Sequence, residues 1–332
     1  MTQPDLRAAL AAIPSVPLAP YPTPVEEMAR LRDALGSGPR LFIKRDDTIA
    51  FAFGGNKVRK MRIVLAQARE AGADTLITTG GIQSNHCRVT AAAAARQGLK
   101  CVIVANGAPP PKPTANALLD ALFGAEVRYV ARREDRAPTV DAVADDLRRQ
   151  GRRPFIVPLG ASTPHGAAAF ALAVGELAGQ MKIDRTIPTP DVIVHSSSSG
   201  GTQAGLIAGC RIYGLSPRIL GISADESSAP LGAEVRRILA GLERLLGADP
   251  GALASDQTPE IDDGFVGEGY GIPTPASREA LELVARTEAI VLDQTYTAKA
   301  MAGLIAHVRA GLFGKGQTVL FWHTGGQVGV FA

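Results

Sequence analysis

The chain holds little of what would mark several common protein classes. Its 332 residues include only three cysteines, Cys87, Cys101 and Cys210, with no CxxC spacing. An odd, scattered set excludes a disulfide framework and a structural zinc site, and suits a reducing cytoplasm. Basic residues number 35 against 32 acidic ones, with no long run of one sign. There is thus no basic arm to seize nucleic acid. The N-terminal stretch carries Asp5 and Arg7 before a short apolar run broken by Pro14 and Pro17, a poor signal peptide. No stretch of about 20 residues is uniformly apolar, so no membrane helix is expected. A Walker loop is absent, as is a GxGxxG turn after a strand, which argues against a nucleotide-dependent oxidoreductase.

What is present is a large apolar fraction, 46%, in short runs that alternate with Ala-rich segments. The strand candidates are LFIK (41–44), DTLITT (74–79), KCVIVA (100–105), EVRYV (126–130), PFIVP (154–158), DVIVHS (191–196), ILGIS (219–223), AIVL (289–292) and TVLFWH, opened by Gln317. Several lack polar alternation, as strands buried on both faces do. Helix candidates lie between most of them, many ending in Gly, the favoured residue just past a helix. This alternation predicts parallel sheets with right-handed crossovers. Nine strands are too many for one average sheet, so two sheets are expected. The segment 247–275 has little periodicity and is too long for a plain connector.

Five polar clusters fall at strand ends or helix starts. FGGNKVRK (53–60) places Asn56 and Lys57 at a helix start, where the first N–H groups attract anions. Desolvation and the charges of Arg59 and Lys60 would lower the lysine pKa there. TTGGIQSNHCR (78–88) brings Ser84, Asn85 and His86 to the carboxyl end of a strand, where open α/β sheets bind ligands. SSSSGGTQAGL (196–206) offers hydroxyls and glycine N–H groups, including Ser199, Gly200, Gly201 and Thr202, as a phosphate cup. EGYGIPT and DQTYTAKAMAGL contribute Tyr270 and Tyr296, and FWHTGGQVG ends a strand in Thr324. Each has a plain structural reading: a solvated helix start, a helix cap, a tight turn, a core tyrosine, and for His323 a packed strand residue. Together, a lysine, a phosphate cup and a strand-end hydroxyl are the parts needed to hold pyridoxal phosphate.

With these motifs in this order, from KRDD (44–47) to HTGG (323–326), the sequence resembles the D-cysteine desulfhydrase and 1-aminocyclopropane-1-carboxylate deaminase family. These are tryptophan-synthase-β-like enzymes of fold type II that use pyridoxal 5′-phosphate. The resemblance implies a two-domain α/β fold, each domain a mostly parallel sheet flanked by helices. Residues 1–62 and 171–332 would form the larger, cofactor-binding domain, and 63–170 the smaller one. It implies Lys57 as the cofactor lysine, with Asn56, Asn85, Ser199, Gly200, Gly201, Thr202 and Thr324 around the cofactor. Ser84, Asn85 and His86 would face the substrate, and Lys57, Ser84, Tyr270 and Tyr296 would carry the chemistry. Thr297 and Thr324 stand where the cyclopropane deaminases typically have Glu and Leu, which points to the desulfhydrase side. A neutral hydroxyl at the ring nitrogen suits β-elimination better than cyclopropane opening. The expectation is a cytoplasmic lyase acting on a small amino acid, D-cysteine first, with no nucleic-acid or membrane partner and a homodimeric assembly. L-cysteate and the cyclopropane amino acid are the alternative substrates. A non-catalytic cofactor carrier is the reading from another class.

Overall fold

The structure, a computed structural model, describes residues 5–254 and 259–332. In chain order its helices are α1 (Leu6–Ala11), α2 (Ala29–Ala34), α3 (Asn56–Glu70), α4 (Asn85–Arg96), α5 (Ala115–Leu122), α6 (Arg136–Arg149), α7 (Pro164–Ile183), α8 (Gly201–Tyr213), α9 (Ser228–Leu246), α10 (Pro275–Glu288) and α11 (Thr297–Arg309). The strands are β1 (Val25–Glu27), β2 (Arg40–Arg45), β3 (Thr75–Gly81), β4 (Lys100–Asn106), β5 (Glu126–Val130), β6 (Pro154–Ile156), β7 (Val192–Ser197), β8 (Arg218–Ser223), β9 (Glu260–Asp262) and β10 (Thr318–His323).

They form two sheets, as the strand number requires. The larger has the order β1-β2-β10-β7-β8-β9 and the smaller β5-β4-β3-β6. The described pairings are parallel except that of the edge strand β1 with β2. β7 and β10 are buried along their whole length, which is why their sequences show no polar alternation. One face of the larger sheet packs Val194, Ile222 and Phe321 against Met301 and Leu304 of α11. The other packs Phe42, Leu320 and Trp322 against Phe170 of α7 and Leu206 of α8. The smaller sheet is covered by α3 and α4 on one face and by α6 on the other.

The Ala/Gly-rich composition of α7 and α8 is what allows their close contact. A Cβ on Gly205 would lie 2.3 Å from the Ala167 carbonyl oxygen, and one on Gly209 2.8 Å from Ala171 Cα. Any side chain there would drive the helices apart and shift the start of α8, where the polar turn after β7 sits.

Two features differ from expectation. AIVL (289–292) is not a strand. Ala289 ends α10 in the left-handed region at φ 55°. Ile290 and Leu292 then fill the core from irregular chain. The segment 247–275 contains the three-residue strand β9, while its residues 255–258 lie outside the described residues. Among the described residues no helix is long and apolar enough to cross a membrane.

Candidate active site

Lys57 is the second residue of α3, and the turn that delivers it is strained. Ala52, Phe53, Gly54 and Gly55 all have positive φ, at 47°, 62°, 73° and 98°. Two of these carry side chains, and such strain persists only where the surroundings hold it. Here the Gly55 N–H donates to the Asp46 carbonyl at 2.8 Å and the Asn56 N–H to the Thr324 carbonyl at 3.0 Å. A Cβ on Gly55 would sit 3.0 Å from that Thr324 oxygen. Lys57 faces a cavity, so part of its surface stays open. The protein around its amine removes bulk water and lowers its pKa to about 8. Burial is the cause. Arg59 turns away to Asp46 and Glu176, so the expected help from neighbouring positive charge does not arise there.

β7 leads through Ser198, Ser199 and Gly200 into α8. Gly200 has φ 74°, and a Cβ on it would lie 3.3 Å from Val235. A Cβ on Gly201 would lie 2.8 Å from Ser162 Oγ and 3.0 Å from Lys60 Nζ. The hydroxyls of Ser162 and Ser199 are 2.7 Å apart, and Asn56 Nδ2 donates to Thr202 Oγ1 at 3.1 Å. Lys60 lies fully buried beneath this turn, donating to the Gly160 carbonyl at 3.3 Å. It forms no salt bridge among the described residues, and burial, then the charge of Lys57, pushes its ammonium well below the usual range. A helix start, a glycine cradle and a buried amine without a counter-ion, which an anion would hold protonated, are a fit for a phosphate.

α4 begins at Asn85, capped by Ser84, whose Oγ accepts from the Cys87 N–H at 3.3 Å. Asn85 Oδ1 accepts from Arg88 Nη1 at 2.8 Å and from Asn116 Nδ2 at 3.0 Å. Two hydrogen bonds to that one oxygen leave the Asn85 NH2 group as a fixed donor. Arg88 itself is fully buried and also donates to the Gly54 carbonyl at 2.9 Å, joining α4 to the lysine turn. Arg88→Gln is therefore expected to weaken cofactor affinity about 10-fold by freeing the Asn85 amide, as loss of supporting hydrogen bonds does at bound groups. Equilibrium dialysis of pyridoxal phosphate against the apoprotein checks this. Unchanged affinity would leave Arg88 a purely structural role.

Thr78 Oγ1 donates to the Val157 carbonyl at 2.9 Å, so it accepts from His86 Nε2 at 2.7 Å. This assigns the proton to Nε2 and leaves Nδ1 a bare acceptor without a protein partner. Burial, with the charges of Lys57 and Lys60, holds the His86 pKa well below its ordinary value, so the ring is neutral at pH 7.

Tyr270 and Tyr296 meet hydroxyl to hydroxyl at 2.5 Å, their rings edge to face. Tyr296 is placed by Asp293, whose Oδ2 accepts its N–H at 2.9 Å. Tyr270 is placed by Lys299, which donates to the Val266 and Gly269 carbonyls at 2.7 and 2.8 Å. Burial raises both phenols, Tyr270 to about 12 and Tyr296 further, so both stay protonated. Thr297, the first residue of α11, is buried with its hydroxyl on Asp293 Oδ1 at 2.7 Å and lines neither cavity.

Two cavities share Lys57. The narrower is lined by Asn56, Asn85, Ser199, Gly200, Thr202, Tyr296 and Thr324, the wider, about 280 Å³, by Ser84, His86, Ser199, Tyr270 and Tyr296. Gly201 lines neither; it is buried behind the turn. Lys60, Arg88, Lys299, Arg133, Arg136 and Asp225 were not singled out as site residues by sequence. The last three also line the wider cavity. Their one sequence signal is position, since each follows the carboxyl end of a parallel strand.

The profile of pyridoxal-phosphate dependent enzymes matches residues 16–325. The chain is 37% identical to the D-cysteine desulfhydrase of Salmonella newport, over 97% of each chain. Its fold superposes on a crystal structure of an ACC deaminase homologue with TM-score 0.89 and 33% identity, covering 99% of this chain and 97% of that one. A threonine deaminase of Solanum lycopersicum shares the fold at TM-score 0.68 and 17% identity, covering 97% of this chain and 83% of that one.

Proposed function

This chain belongs to the pyridoxal-phosphate dependent enzyme family, and on that premise we propose that it cleaves a cysteine-like amino acid by α,β-elimination. D-cysteine and water would give pyruvate, ammonia and hydrogen sulfide. The observation that carries this reading is the lysine of lowered pKa shared by a phosphate-suited pocket and a wider cavity capped by two protonated phenols. Likeness to the Salmonella D-cysteine desulfhydrase supports the choice of substrate.

In this reading the turn from Ser199 to Thr202, with Asn56, takes the phosphate over buried Lys60. The Asn85 amide would donate to the 3′-oxygen on the cofactor's ring, and Thr324 would be the hydroxyl for its ring nitrogen. Lys57 is its covalent attachment. When bound, pyridoxal phosphate supplies an electron sink for the carbanion left by loss of an α-proton. Lys57, with its pKa lowered by burial to about 8, is the base that would take that proton. Ser84 would donate its hydroxyl hydrogen to the substrate carboxylate, with neutral His86 in the same cavity wall. Tyr270 and Tyr296 share one hydrogen bond, so one phenolic proton is free for the departing sulfur. The cavity lies between the two sheets. We propose that the smaller unit, 63–170, closes on the larger one and excludes water, with α3 spanning both. A cytoplasmic homodimer completes the proposal; the three cysteines are free and buried.

The test is release from D-cysteine by the purified, cofactor-loaded protein. Pyruvate and sulfide are expected in equal amounts. Release from L-cysteine, L-cysteate or the cyclopropane amino acid, with none from D-cysteine, would replace the substrate while keeping the lyase class. No release from any of them would overturn the reading.

A further inference from the structure

The wider cavity continues into a second space. It shares Arg133, Leu159, Ser198 and Ser199 with an outer pocket of about 470 Å³, which Glu226 also lines. Arg133 stands where the two meet. It lies in the turn before α6, on the smaller unit. Its Nη2 donates to Asp225 Oδ2 at 2.9 Å and to Glu226 Oε1 at 3.3 Å. Both acids follow β8, on the larger unit. Among the described residues, these are the ion pairs that join the two units; every other pair lies within one of them. Both ends are held in place. Arg136 Nε donates to the Arg133 carbonyl at 3.1 Å. Ser223 Oγ donates to the Glu226 carbonyl at 2.5 Å and accepts from the Asp225 N–H at 3.3 Å. Arg88 with the Gly54 carbonyl and Lys60 with the Gly160 carbonyl also join the units, but beside α3, which spans both. Bonds beside a spanning element persist when two units swing apart, whereas bonds at the mouth must break.

We propose that Arg133, Asp225 and Glu226 are the latch of the cleft. A small amino acid passes from the outer pocket to Lys57 while the pairs are broken, and the pairs re-form as the smaller unit closes over it. The inference rests on the closure given with the elimination reading. Chemistry suits the part. Arg133 and Glu226 are 47% and 46% exposed, so water solvates them when they separate and opening costs little. Asp225 is only 10% exposed, which makes its charge-assisted bond tighter than that of a free surface pair. Salt weakens such a latch. It does not weaken the neutral hydrogen bond of Ser162 with Ser199, which also joins the units.

The experiment uses holoenzyme and phenylhydrazine, a carbonyl reagent that is uncharged at neutral pH and changes the visible absorbance when it condenses with the cofactor. Its rate reads how often the cleft is open, and salt does not act on the reagent's own approach. At low salt, Arg133→Gln is expected to react about 3–10-fold faster than wild type, the scale of a lost ion pair with one buried partner. Asp225→Asn should shift the rate in the same direction. The two together should be no faster than Arg133→Gln alone, because they break one interaction. Arg133→Lys, which keeps the charge, should lie between. About 0.5 M potassium chloride should speed wild type toward the variants and leave Arg133→Gln nearly unchanged. The salt series needs no variant to fold. Equal rates throughout would overturn the latch. So would faster variants beside a salt-insensitive wild type, or effects that multiply in the double variant, since either gives the side chains separate steric roles. Pyruvate release from D-cysteine is measured on the same preparation. No pyruvate from D-cysteine or the alternative substrates, with rates that follow salt and charge, removes the elimination and keeps the latch. Normal pyruvate release with flat phenylhydrazine rates does the reverse.

Discussion

Lys57→Ala, supplied with pyridoxal phosphate, is expected to release pyruvate at least about 10³-fold more slowly than wild type, the scale of a lost general base. It is also expected to lose the visible absorbance of the covalently held cofactor. Lys57 is the one lysine lining either cavity among the described residues. The nearest substitute, Lys60, is turned beneath the phosphate turn, with its amine on the Gly160 carbonyl and Ser162 Oγ. Lys57→Arg tests whether positive charge alone suffices, since arginine keeps a charge but offers no neutral amine near pH 7 either to hold the cofactor or to take a proton. It should be as inactive as the alanine variant. Full activity in Lys57→Ala, followed by its loss in Lys60→Ala, would move the assignment to Lys60.

Asp46→Ala is expected to destabilise the fold by about 3–5 kcal/mol, the usual result of breaking a buried ion pair from one side, and to lower the melting temperature by about 5–10 °C. Behind the lysine turn lies a network of Lys44, Arg59, Asp46 and Glu176. Arg59 donates to both oxygens of Asp46, at 2.9 and 2.7 Å, and to Glu176 at 2.8 Å. Trp322 Nε1 donates to Asp46 Oδ2 at 2.9 Å, and Lys44 pairs with Glu176 at 2.5 Å. Two acids face two bases, so removing Asp46 leaves one buried positive charge unmatched. The same residue is followed by the turn that delivers Lys57, so activity should fall with stability. A melting curve within a degree or so of wild type would remove the network from the account of stability.

The network also sets a pH dependence. Burial alone would raise the Glu176 carboxyl, but Arg59 and Lys44 override it and hold it at about 2. A group lower in the folded than in the unfolded chain, where it titrates near 4.3, favours folding above that unfolded value. Its contribution is therefore complete at neutral pH and disappears as pH falls from about 4.3 toward 2.

The strand–helix alternation was legible because most strands are buried on both faces and so read as unbroken Val/Ile runs. The edge strands β1 and β9 were not, since three residues, VEE or EID, carry no pattern. AIVL failed for the opposite reason. Four apolar residues are compatible with any buried backbone, and only the left-handed Ala289 decides against a strand. α9 was missed by the sequence reading, although Leu231, Val235, Ile238, Leu239, Leu242 and Leu246 follow helical spacing. The candidate site residues lie in loops whose order along the chain marks them as strand ends. Which of them meet in space depends on strand order, and that is not written in any local spacing. Arg133 and Asp225, from loops of different sheets yet 2.9 Å apart, are the example.

The strand order has a consequence for synthesis. β2 lies near the start of the chain and pairs on one side with β10, through contacts such as Lys44 with Trp322. On the ribosome, at roughly 5–20 residues per second, that edge waits some tens of seconds for its neighbour. The smaller sheet, whose four strands all fall between Thr75 and Ile156, has its full complement well before then. The order of translation thus separates the two halves of the cleft in time. The sheet that carries the phosphate turn is closed last, by a strand inserted into its middle.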